Sequence, residues 1–93
     1  MSNPKNDLDI KSRIMGFEKR IDDMHLEFYK YYQGDEQKIP YWEGLELELL
    51  NFSRRKIFDV VLSNNLDRVL YKFQNRKKIW LKWIEESHHI KKD

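Results

Sequence analysis

The apolar residues between Ile10 and Tyr31 fall on one line. Ile10, Ile14, Phe17, Ile21, Met24, Phe28 and Tyr31 follow one another at alternating steps of four and three. Such spacing gathers side chains on one side of a helix, whereas the two-residue period of a strand would scatter them over both faces. A first helix is therefore predicted over about 8–33, capped by Asn6, Asp7 or Asp9 and ended by Gly34 in a left-handed conformation.

Residues 34–39, closed by Pro40, read as a linker. A second helix is expected over about 40–62, with two apolar sides. Trp42, Leu45, Leu49, Phe52 and Val60 form one, and Leu47, Leu50, Ile57, Phe58 and Val61 the other. A helix that is apolar on two sides belongs between neighbours. Leu45, Leu47 and Leu49 also alternate with Glu46 and Glu48 as a strand would, but the chain offers no partner strand. Ser63, Asn64 and Asn65 are poor helix formers and favour a turn, with Asn65 capping a third helix over about 65–88, although Leu62 stands in register with 66, 69 and 73 and one uninterrupted helix is the alternative. That helix is expected to bury Leu66, Val69, Leu70, Phe73, Trp80, Leu81 and Ile84. Residues 1–6 and 89–93 are expected to fray. The resulting architecture is all-α: one domain, 1–93, built as an up-down-up bundle of three long helices of matched length.

Three helices of this length cover one stripe each, and more apolar residues are present than that. Leu8, Met15, Leu26 and Tyr29 lie on the first helix away from its seam, and Leu47 and Leu50 lie on the second side of the middle helix. Contiguous apolar surface marks an interface. A homodimer is the expectation, with these six residues as its candidate self-association surface.

Charge adds a gradient to this picture. Residues 1–33 are neutral in sum, 34–52 carry a net −4 and 53–93 a net +6, giving the overall +2. On the third helix Arg68, Lys72, Arg76, Lys78 and Lys82 form a basic face with Tyr71 and Ile79 among them. Cations interleaved with aromatics can neutralise phosphates and stack bases, so these five residues are candidate nucleic-acid contacts. No zinc finger, aromatic RNA-binding strand or short helix-turn-helix accompanies them. Pairing with the acidic 34–52 segment is the competing explanation. Lys77 falls inside the apolar stripe, where it must snorkel, the expected outcome, or meet Glu46, Glu48 or Asp59. Lys56 raises the same question on the middle helix.

Chemistry is thin. The chain has no cysteine, which excludes disulfides, thiol nucleophiles and cysteine-bound zinc. Glu85-x-x-His88 and Glu86-x-x-His89 have the spacing of di-iron helices and Asp22-x-x-His25 nearly so, but Glu85 projects to the polar flank while His88 lies toward the apolar side, Asp22 points to solvent, and no further pair of inward-facing glutamates stands at the same level. The three glycines are isolated, so there is no phosphate loop. No metal, cofactor or catalytic residue is assigned, and the expected class is a non-enzymatic helical module that binds a protein partner. Met1–Asp9 lacks the apolar core of a signal peptide and no apolar run is long enough to cross a bilayer. Ile79, Trp80, Trp83 and the lysines would let the third helix lie on an anionic membrane, but Trp80 faces the expected core. A cytoplasmic location is expected.

Overall fold

A computed structural model describes residues 4–91, the side chains of residues 4 and 89–91 excepted. Three helices pack on one another: α1 (Pro4–Gln33), α2 (Trp42–Ser53) and α3 (Val60–Lys91). Among the described residues there is no strand, so the alternating leucines at 45–49 are helical.

The seam of α1 is the floor of the core. Ile10, Ile14, Phe17, Ile21, Phe28 and Tyr31 are buried on it, and Met24 packs against them. Leu62, Leu66, Val69, Phe73 and Trp80 of α3 and Leu45, Leu49 and Phe52 of α2 complete the cluster. The cross-contacts set the directions. Glu18 meets Arg68, Asp22 meets Lys72 and His25 meets Trp80, so α3 runs the same way as α1. Glu48 meets Arg20, Phe52 meets Phe17 and Arg55 approaches Asp9, so α2 runs back against both. The molecule is a rod with extents of 59 × 17 × 17 Å.

The helices are not of matched length: 30, 12 and 32 residues. The middle helix stops at Ser53 instead of continuing to residue 62, and its core line explains why. Leu45, Leu49 and Phe52 are buried, and the next two positions at the same spacing are Lys56 and Asp59. Prolonging the helix would carry two charges into the core. Residues 54–59 leave the helix instead, and Lys56 stays exposed.

Asp59 then begins α3, earlier than the expected cap at Asn65. Its Oδ1 accepts the Leu62 backbone N–H at 2.9 Å, the geometry of an N-cap. Ser63, Asn64 and Asn65 are thus inside α3 rather than in a turn. Their helix penalty is a few tenths of a kcal/mol each, smaller than the gain from burying Leu62 and Leu66 on either side. Replacing Asp59 with alanine should lower stability by about 1 kcal/mol, read as a shifted urea midpoint with an unchanged slope.

Three smaller departures follow from the same boundaries. Phe58, Val60 and Val61, expected on apolar sides of the middle helix, are exposed. Leu81, expected in the core, is also exposed, because α2 does not reach its level. Residues 4–6 and 89–91 are helical rather than frayed, while 1–3 and 92–93 lie outside the described residues.

Of the two glycines flanking the linker, the first has a structural reason. Gly34 has φ of +89°. It donates its N–H to the Tyr31 carbonyl at 3.1 Å while Asp35 donates to Lys30 at 2.9 Å, closing α1 with a Schellman motif as the sequence anticipates. At Gly44 a β-carbon would come within 2.5 Å of the Tyr41 ring, an exposed side chain that could swing aside.

Candidate interaction surfaces

The basic face predicted on α3 divides into two parts. Arg68 donates both guanidinium nitrogens to Glu18, at 3.0 and 3.1 Å. Lys72 reaches Glu18 at 3.3 Å and Asp22 at 2.7 Å. Arg68 foremost, then Lys72, holds the Glu18 carboxyl below its ordinary pKa against the opposing effect of burial. Asp22 raises the Lys72 ammonium above its own. These two candidate nucleic-acid contacts therefore lock α3 to α1. Lys78 and Lys82 are exposed, and Arg76 is half-buried near His25, whose protonation it opposes.

The acidic 34–52 segment is also used internally. Glu48 is paired with Arg20, which lowers its pKa. Glu46 meets Lys77 at 2.7 Å, and that ammonium lies 5.0 Å from the centre of the Trp42 ring. Lys77 thus finds the first of its three candidate partners rather than snorkelling to solvent. A cation that is both ion-paired and over an aromatic face is well compensated for partial burial.

An aromatic column stands between α1 and α3. Trp80 is fully buried, stacked on Phe28 at 4.8 Å and edge-on to Phe73 at 5.8 Å. Its Nε1–H donates to His25 Nδ1 at 3.1 Å. Outside it, Trp83 is held between His25 at 5.4 Å and Tyr32 at 5.0 Å, with Tyr29 at 6.1 Å. The Glu86 carboxylate beside Tyr32 pushes that hydroxyl's pKa up. Because His25 Nδ1 accepts, the neutral ring carries its proton on Nε2. Burial, followed by Arg76, lowers the His25 pKa from its ordinary value.

Sequence reasoning weighed His25 chiefly as a metal ligand beside Asp22 and missed this role. The signal was available in principle: a tryptophan on the core stripe of one helix needs an acceptor for its N–H on another. Asp22 turns to Lys72 instead, and Glu85 and His88 are both exposed. The His89 side chain lies outside the described residues. Among the described residues, no group of three or more His, Asp or Glu side chains is arranged to hold a metal ion.

Several large apolar side chains also remain open to solvent. Leu8, Met15 and Leu26 are 60–68% exposed and Tyr29 47%. Steps of seven and eleven residues put the first three on one stripe of α1, and Tyr29 flanks it. Met15 borders a small groove with Leu62, Asn65 and Arg68, and Tyr29 touches Trp83. The stripe therefore runs beside α3, away from α2, which packs on the Phe17 and Arg20 side. Leu47 and Leu50 are exposed on the outer face of α2. A separate open groove of about 470 Å³ is formed by Glu27, Lys30 and residues Glu36–Tyr41. No described helix is long and apolar enough to cross a membrane. No family model, curated protein or solved structure matches the chain.

Proposed function

We propose that this chain is a small, non-enzymatic, cytoplasmic helical module that works by binding proteins, a second copy of itself included. The observation that carries this reading is the apolar stripe Leu8, Met15, Leu26 and Tyr29, left in water along most of α1. Sedimentation equilibrium at high micromolar concentration should return twice the chain mass. A clean monomer there would remove self-association from the reading.

Nucleic-acid binding through Arg68, Lys72, Arg76, Lys78 and Lys82 is the alternative. The ion pairs of Arg68 and Lys72 with α1 weaken it, since phosphates would have to displace carboxylates already in place. Salt-sensitive fluorescence anisotropy with labelled DNA or RNA separates the two readings.

A further inference from the structure

We propose that the outer side of α1 pairs antiparallel with the same side of α1 in a second copy, about a two-fold axis passing between Arg20 and Ile21. This deepens the self-association reading above and rests on it. The inner seam of α1 is occupied by α2 and α3. On its outer side a line of positions at alternating steps of four and three holds Leu8, Ser12, Met15, Lys19, Asp22, Leu26, Tyr29 and Gln33, four apolar or aromatic residues and four polar ones. All eight are exposed. The second line lies about 160° around the helix from the first, away from α2 and along the edge of α3, which Asp22 and Tyr29 touch.

The order of residues along this line chooses its partner. Turned end for end about its centre, the line brings Met15 opposite Leu26 of the other copy and Lys19 opposite Asp22. Ser12 comes opposite Tyr29, and Leu8 opposite Gln33. Each layer joins positions of the two alternating kinds, as antiparallel helices require, and an isologous two-fold repeats every contact twice. The only two charges on the line therefore meet their opposites. In a parallel pair Lys19 would face Lys19 and Asp22 would face Asp22, so the charges select the antiparallel arrangement. Asp22 would have to share its carboxylate between Lys72 and Lys19 of the other copy. It gives Oδ1 to Lys72, and its side chain remains 53% exposed.

The chain contains no cysteine, so engineered thiols report the geometry without background. Met15→Cys and Leu26→Cys alter exposed positions only. Mixed and oxidised, the two single variants should form disulfide-linked dimers in high yield. Either alone should stay largely uncrosslinked, because like positions then lie about 16 Å apart along the axis, beyond disulfide reach. Lys19→Glu turns both central pairs into repulsions and should raise the dimer dissociation constant about tenfold at low salt. A dimer in which Met15→Cys alone crosslinks efficiently, or in which the mixture does not, overturns this arrangement while leaving self-association standing. A monomeric parent protein overturns both.

Discussion

Replacing Trp80 with alanine should cost about 3–5 kcal/mol, the range for emptying a fully buried aromatic site. Trp80 is wholly enclosed and makes ring contacts with Phe28 and Phe73. It is also the donor to His25 that ties the aromatic column to α1. Domains of this size hold only about 5–15 kcal/mol in total, so one substitution removes a large share. The thermal midpoint should fall by roughly 15–30 °C, measured by circular dichroism with urea unfolding as a check. Trp80→Phe keeps most of the apolar area and loses the N–H, so it should cost about 1–2 kcal/mol. A Trp80→Ala protein with near-normal stability would mean that this column does not hold the helices together.

Acidification should destabilise the protein in two steps. The His25 pKa is lowered in the folded state, by burial first and then by Arg76 and Lys72, with Asp22 acting in the opposite sense. The unfolded chain then binds the proton more readily than the folded one. The stability associated with His25 is complete above the ordinary value of 6.5. It declines as pH falls from there through the lowered value, because protonated Nδ1 can no longer accept from Trp80. Glu18 and Glu48, both lowered by their arginine partners, add a second decline that begins only below 4.5. Urea midpoints taken from pH 8 to pH 3 should show both. His25→Gln keeps an acceptor for Trp80 and should abolish the first step while sparing the second. A stability flat between pH 7 and 5 would contradict the His25 assignment.

Periodicity was informative wherever one line of residues had one job. The inner seam of α1 is buried almost as read, Gly34 ends that helix as expected, and Leu66, Val69, Phe73 and Trp80 form the inner line of α3. The middle of the chain misled because two apolar patterns overlap there. Phe58, Val60 and Val61 continue the hydrophobic record of α2 on a wheel, yet Lys56 and Asp59 stand on its core line. The charged residues, not the apolar ones, held the boundary. Pairings between distant segments were legible only as shortlists. Glu46 was one of three partners considered for Lys77, while Glu18 as the joint acceptor for Arg68 and Lys72 depends on α1 and α3 running the same way. Local spacing cannot convey that.

That shared direction has a kinetic consequence. The longest pair of helices is joined by side-chain contacts between residues 50 to 58 apart in the chain, from Glu18–Arg68 to His25–Trp83. An antiparallel hairpin closed by a five-residue turn would bring its halves together at once. Where α1 and α3 meet before α2 has docked between them, the ends of a tenfold longer loop must be brought together, at an added entropic cost of about 2 kcal/mol. If that closure is complete at the barrier, folding is slowed about thirtyfold relative to such a hairpin. Helices formed early must wait, greasy sides out, for a partner made from the far end of the chain.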